Sequence, residues 1–468
     1  MAVSTFVSTL RRLAWLAAAA ALALHAATAR AAGEDEEHGA GPGAGADFST
    51  APRVDVHKPV ELIPLYLRAK RIHGLQPFQE LVDKAPEGSV LAVPAGHYAG
   101  PVHLKKRLSI EGQGEVVIDG GDKGTVFVVE ANGAVLRNLT ITGSGESHDS
   151  DDTCLNIRGH GNLIEKLKIA DCLFGIDLKQ ADRNIVRGNT VRSKDFELGV
   201  RGDGIRLWYS NDNLIEDNLV TDTRDMVAWY SHRNIYRGNE GRRSRYSIHF
   251  MFANDNVVEN NRFYDNAVGV YFMYMEGGVA RNNVISHATG ATGMGLGFKE
   301  SSDILIENNE VIYCAVGVGS DLSPFQPDTT IRFVGNRFAF NGIAIQLTSE
   351  LGGNELLGNT FEGNLTDVFQ GGRGGGVKNR WVGNYFDTYQ GFDRDGDGHG
   401  DTPHEDYAYA DRLWMEIPNA RFFKASPVLE LLDFLERLAP FSAPGLQARD
   451  EAPLYARPER PIKGRTHE

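Results

Sequence analysis

The sequence predicts an all-β chain folded as a right-handed parallel β-helix, and three observations carry the prediction. An Asn-centred turn recurs at nearly constant spacing, hydrophobic triplets or pairs flank each turn, and the spacing suits a single coil of about 21 to 26 residues. The repeated element reads as a polar residue, a short hydrophobic run, then Asn and another hydrophobic residue. It occurs at Asn162-Leu-Ile-Glu, Asn184-Ile-Val-Arg-Gly-Asn, Asn213-Leu-Ile-Glu-Asp-Asn, Asn234-Ile-Tyr-Arg-Gly-Asn and Asn256-Val-Val-Glu-Asn-Asn. The series continues to Arg380-Trp-Val-Gly-Asn. Counting the second Asn of each unit gives Asn189, Asn218, Asn239, Asn261, Asn283, Asn309, Asn336, Asn359 and Asn384, separated by 29, 21, 22, 22, 26, 27, 23 and 25 residues. The 29 marks an insertion around Arg192–Val200.

A strand this short cannot bury its hydrophobic face alone, so coils must stack, and identical positions then align in columns along the stack. Asn suits the turns because it tolerates left-handed dihedrals and because stacked Asn amides can hydrogen-bond from coil to coil. Leucine-rich repeats would show a Leu frame with a helix in each unit, and propeller blades need about 40 residues; neither pattern is present.

Each flanking segment follows in order. Residues 1–31 read as a secretory signal, with Arg11 and Arg12 before the apolar run Leu13–Leu24 and cleavage after Ala31. A retained anchor and a twin-arginine signal are the lesser alternatives. Residues 32–53 are a flexible linker by composition, and the β-helix is expected over 54–390. Phe78, Leu81 and Val82 have helical spacing just before the first strand, and a short amphipathic helix there would cover the open end of the stack. Residues 391–440 comprise an Asp-rich loop and an amphipathic helix from Ser426, which could cap the C-terminal end. A Pro-rich tail occupies 441–468.

The formal charge of −14 becomes −17 once Arg11, Arg12 and Arg30 are removed, which opposes binding to nucleic acid. Cys154, Cys172 and Cys314 are odd in number and lack metal-type spacing, so buried free thiols are expected and no disulfide framework is implied.

Methionine is unevenly distributed: Met226, Met251, Met273, Met275 and Met294 fall within three to four successive coils. Alignment on the Asn turns places Trp208, Trp229, Met251, Met273 and Phe298 in one column. Two residues earlier stand Arg206, Val227, His249 and Tyr271, and two later Ser210, Ser231, Ala253 and Met275. If Ile205 and Leu207 point inward, His249, Met251, Met273 and Met275 form one outward patch, and soft thioethers with an imidazole suit Cu(I). A metal-free docking patch and simple core filling are the competing readings.

The run Asp393-Arg-Asp-Gly-Asp-Gly-His-Gly-Asp401 places Asp393, Asp395, Asp397 and Asp401 at calcium-loop spacing. His404 stands where a twelfth-position Glu would be required, so a related structural Ca²⁺ loop fits better than an EF-hand. The acidic cluster Glu146–Asp152 could serve catalysis in a carbohydrate-active β-helix, but no column of basic residues is evident around it and a solvated loop is expected.

Several segments in order resemble the NosD family of nitrous oxide reductase maturation proteins: Gly202-Asp-Gly-Ile-Arg-Leu-Trp-Tyr-Ser, Arg245-Tyr-Ser-Ile-His-Phe-Met-Phe, Val270-Tyr-Phe-Met-Tyr-Met, Gly293-Met-Gly-Leu-Gly-Phe-Lys, Gly391-Phe-Asp-Arg-Asp-Gly-Asp-Gly and Ala410-Asp-Arg-Leu-Trp. The likeness spans about Leu75 to Pro444. It implies a non-enzymatic periplasmic protein that handles copper. The implied partners are an ABC-type ATPase, a membrane subunit, a copper-chaperone lipoprotein and nitrous oxide reductase itself. Met226 and Met275 depart from what the resemblance requires, so it supports Met251 and Met273 more strongly.

Overall fold

The computed structural model describes residues 72–459 except 291, 349–351, 372–377, 409–425 and 439–444. The signal, the linker and the Ala410–Trp414 segment lie outside the described residues. Within them the chain winds as a right-handed parallel solenoid of about 13 turns. Each regular coil contributes one strand to a 12-stranded parallel sheet and two short strands to a second, 27-stranded sheet.

The Asn column is the spine of the fold. Asn189 donates its backbone N–H and its side-chain amide to Oδ1 of Asn218, at 3.0 and 2.9 Å, and the same pair of bonds recurs from coil to coil through Asn239, Asn261, Asn283, Asn309, Asn336, Asn359 and Asn384. The ladder Asn does not itself adopt the left-handed conformation. The residue before it does: Gly188, Asp217, Gly238, Asn260, Asn282, Asn308, Gly335, Gly358 and Gly383 have φ between 51 and 66°. Turn geometry and ladder bonding are thus divided between adjacent residues, which explains the Gly-Asn, Asn-Asn and Asp-Asn dipeptides.

Inside the coils, apolar side chains stack in like columns. Phe250, Phe272 and Phe298 lie nearly parallel with centroids 5.6 and 5.1 Å apart. At one corner of the 12-stranded sheet, Tyr209, Tyr230, Phe252 and Tyr274 all take positive φ, an uncommon state for bulky residues. Their rings stack at 4.9, 5.2 and 4.8 Å, so packing between coils offsets the local strain.

The N-terminal end is covered as expected by helix α1, Phe78–Lys84, which buries Phe78 and Val82, with the Phe78 ring against Tyr98 and Phe127. The C-terminal end differs from expectation. Helix α2, Pro427–Leu438, leaves Val428, Leu431, Phe434 and Leu438 exposed, so this apolar face does not cap the solenoid. An antiparallel hairpin of β1, His404–Ala408, and β2, Gly445–Asp450, meets the last coils instead. His404 stacks on Phe386 at 4.0 Å, and Asp450 Oδ2 accepts the backbone N–H and side-chain amide of Asn384 at 2.8 Å each. A carboxylate suits this last rung because it only has to accept.

A second correction concerns the cysteines. Cys154 and Cys172, on the first and third strands of one coil with Cα atoms 5.6 Å apart, form a disulfide. Both point into the core, and the winding of the coil brings them together across 18 residues. Cys314 is a buried free thiol, as expected, with burial pushing it up to about 12.

Candidate functional site

The outward face of the 12-stranded sheet carries parallel columns of side chains, one per register position. The middle column, read from register, is Asn156, Asp177, Arg206, Val227, His249, Tyr271, Gly297 and Gly319. Ile205 and Leu207 are fully buried in the core, so the expected inside–outside phase holds here. The column on the side toward the stacked corner is Lys179, Trp208, Trp229, Met251, Met273, Lys299 and Asp321. Lys299, not Phe298, follows Met273; Phe298 is one residue out of phase and lies in the core.

Three of the four expected copper ligands therefore share this face, and one does not. Met251 and Met273 are neighbours on adjacent coils and half-buried. His249 stands two residues before Met251 on the same face. Met275 is in the core, 1% exposed, because Tyr274 at φ 54° turns the chain and breaks the two-residue alternation that placed 275 beside 273. Met226 is likewise a core residue.

His249 is 6% exposed and enclosed by the rings of Tyr246 and Tyr271, with centroids 4.8 and 6.0 Å away. Neither of its ring nitrogens has a hydrogen-bond partner. Asp225 Oδ2 lies 3.8 Å from Nδ1, an ion-pair separation and too long for a hydrogen bond. Burial works against ionisation of Asp225, but Arg245 and His249 beside it outweigh this and hold its carboxyl below the usual range. In the preceding coil, buried Asp203 pairs with Arg224 at 2.9 Å; its burial prevails and raises its carboxyl.

Toward the N-terminus the same face holds a charge cluster that sequence inspection missed. Asp177, fully buried, accepts both Nε and Nη2 of Arg206 at 2.9 Å, and Asn156 donates to it at 3.0 Å. Asp151, from the Glu146–Asp152 loop, is bound by Arg206 Nη1 at 2.9 Å and Lys179 Nζ at 2.7 Å. Burial of Asp151 opposes ionisation, yet hydrogen bonds from Arg206 and Lys179 hold its carboxyl below the usual range. Buried Lys194 pairs with Asp122 and Asp171 at 3.0 and 3.4 Å and reaches Glu146 of the same loop at 3.8 Å. The expectation of a merely solvated loop without basic partners is thus corrected: the bases come from coils 28 to 55 residues downstream, which linear inspection does not align.

In the Asp-rich loop the carboxylates of Asp393, Asp395 and Asp397 converge, with ligand oxygens within 4.8 Å of one another. Asp393 accepts the N–H groups of Gly396 and Gly398 at 2.7 and 3.0 Å. Asp401 is directed to the Arg394 backbone N–H at 3.0 Å and is not part of that convergence.

Fold and face define the class first: a right-handed parallel β-helix protein with a polar and sulfur-bearing outer sheet. Residues 192–391 match the family described as periplasmic copper-binding protein (NosD), and residues 124–242 match the right-handed β-helix region. The probable ABC transporter binding protein NosD of Pseudomonas aeruginosa is 27% identical over 436 residues, covering 85% of this chain and 95% of that protein. Its counterpart from Stutzerimonas stutzeri is 34% identical over 125 residues, 26% of this chain and 28% of the other. Among solved structures, the A-module of mannuronan C-5 epimerase AlgE6 from Azotobacter vinelandii superposes with a TM-score of 0.51 at 17% identity, over 67% of this chain and 94% of that one, a likeness of fold. The chain is thus similar to NosD proteins, by the family model over residues 192–391 and by the P. aeruginosa relative over 85% of its length.

Proposed function

We propose that this chain is an exported, periplasmic, non-enzymatic copper carrier that works with an ABC-type transporter in the maturation of nitrous oxide reductase. It takes Cu(I) as cargo on the outer face of the 12-stranded sheet, at His249, Met251 and Met273. The observation that carries the reading is His249: an imidazole almost wholly buried, with neither nitrogen hydrogen-bonded, on the same outward face as two neighbouring thioethers. An unpaired buried polar group is costly, and a soft cation would supply the missing partner. The family description and the names of the P. aeruginosa and S. stutzeri relatives support copper and an ABC-type ATPase with its membrane subunit. A copper-chaperone lipoprotein as donor and nitrous oxide reductase as recipient complete the proposal.

The test is anaerobic Cu(I) titration of the mature chain against a competing chelator, beside a Met251→Leu, Met273→Leu variant. Leucine keeps volume and removes sulfur. At least a tenfold loss of affinity in a variant with unchanged thermal unfolding is expected; equal affinity sinks the site.

A second reading, action on an acidic polysaccharide, is favoured only by the Asp151–Asp177–Lys179–Arg206 cluster. Appearance of an unsaturated or epimerised product from polymannuronate would decide for it. We further propose that Asp393, Asp395 and Asp397 hold a structural Ca²⁺, with Asp401 organising the loop. Calcium should raise the unfolding temperature of the parent and leave an Asp395→Asn variant unchanged.

A further inference from the structure

The middle outward column changes character after Tyr271. The two coils that follow place Gly297 and Gly319 there, side by side in register, so the sheet presents a notch without side chains of its own. The notch is filled from the side. A Cβ added at Gly297 would meet Met294 Sδ at 2.8 Å, and one added at Gly319 would meet Met294 Cε at 2.6 Å and Sδ at 2.7 Å. The thioether of Met294 thus lies flat across both glycines, against Tyr271, whose ring carbons would come within 2.2 and 2.5 Å of the Gly297 Cβ.

Met294 is half-buried and takes no part in the core, unlike Met226 and Met275. Its sulfur sits over Gly297, the direct register partner of Tyr271, while Met273, two residues along that strand, pairs with Lys299. Diagonal neighbours of this kind are about 7–8 Å apart at the backbone and within reach of long side chains. Met251, Met273 and Met294 therefore step across three successive coils, with the third sulfur seated in a recess that only glycine leaves open. A methionine seated in this recess also leaves a flexible, polarizable donor on the outer face beside Tyr271, which stands two residues before Met273.

Resting on the copper reading above, we propose that Met294 is a further copper-binding residue: its thioether in the Gly297–Gly319 notch joins Met273 to bind Cu(I), and the glycines position it. The site would then extend from His249 toward the C-terminal coils and present a sulfur-rich environment for the cargo.

Three variants and the parent are titrated anaerobically with Cu(I): Met294→Leu, Gly319→Ala and the double variant. Copper K-edge absorption reports the number of sulfur neighbours. Met294→Leu should weaken binding about tenfold and remove one sulfur from the coordination shell. Gly319→Ala, which keeps every ligand but pushes the thioether out of its recess, should weaken binding in the same direction. The double variant should lose no more than Met294→Leu alone. No binding by the parent overturns the copper reading itself. Binding by the parent that falls in the Met251→Leu, Met273→Leu variant, but is unchanged in affinity and sulfur count by Met294→Leu, overturns this inference alone. Circular dichroism melts on each variant separate ligand loss from misfolding, and an Ala effect that persists in full on the Met294→Leu background assigns Gly319 to folding and also overturns it.

Discussion

Replacing Asn261 with Ala tests whether the Asn ladder holds the solenoid together. The Asn261 carboxamide accepts the Asn239 backbone N–H at 2.8 Å and the Asn239 amide at 3.0 Å, and donates to Tyr236 O and Asn283 Oδ1, both at 2.9 Å. Alanine would leave the Asn239 N–H without an acceptor in a fully buried place and withdraw one donor from the Tyr236 carbonyl. The Asn239 amide would retain only Ile215 O, at 2.8 Å. At roughly 1–3 kcal/mol for each buried group left unsatisfied, the loss should be about 2–5 kcal/mol. Asn162 offers an internal comparison. Its Oδ1 accepts one N–H, from Ala134 at 2.7 Å, and its amide nitrogen has no partner, so Asn162→Ala should lose only about 1–2 kcal/mol. Urea unfolding of both variants, followed by circular dichroism, measures the difference, with the slope checked because stacked repeats can unfold in parts. Equal losses, or a loss below about 1 kcal/mol at Asn261, would refute the ladder as a main source of cohesion.

Three other outcomes follow from buried groups. Arg206→Met should destabilise by about 3 kcal/mol, since Asp177 keeps only Asn156 and a distant Lys179, and adding Asp177→Leu should restore most of that loss; urea midpoints check it. His404, held near 4 by burial, stays neutral in the fold, whereas the unfolded chain takes up a proton near the ordinary 6.5. The stability it lends the terminal hairpin is therefore present above pH 6.5 and is lost as pH falls toward 4, by roughly 3 kcal/mol, readable as hydrogen exchange in β2 that accelerates over that range and not in a His404→Phe variant. Reduction of Cys154–Cys172, which closes 18 residues, should lower stability by roughly 3 kcal/mol, measured by unfolding with and without a strong thiol reductant; no change would mean that the sulfurs are not linked in solution.

The parts of this fold legible in one dimension were those carried by a constant period. The Asn column, the helix over Phe78–Lys84 and the outward pairing of Trp208, Trp229, Met251 and Met273 all follow from repeat spacing and strand alternation. What stayed hidden depends on the cross-section of a coil. Cys154 and Cys172 sit on different sheets and meet only because the coil closes. The bases around Asp151 come from separate coils, with Lys179 and Arg206 supplied by strands 28 and 55 residues on.

The misplacement of Met275 is the most informative error, because the rule behind it held along the strands and failed at the corner that ends them. Alternation of side chains holds only while each residue stays extended. The left-handed residue that ends each strand of the outer sheet, at Tyr209, Tyr230, Phe252 and Tyr274, advances the chain around the corner and resets the phase, so that Ser210, Ser231, Ala253 and Met275 all turn inward together. Those corner residues are aromatic, which reads in sequence as a continuation of the strand; Gly or Asn there would have announced a turn. The reset also explains why Met294 escaped the copper set. It begins its strand, before the glycines that admit it, and so belongs to no methionine column; its seat over Gly297 and Gly319 follows only from the space that two missing side chains leave.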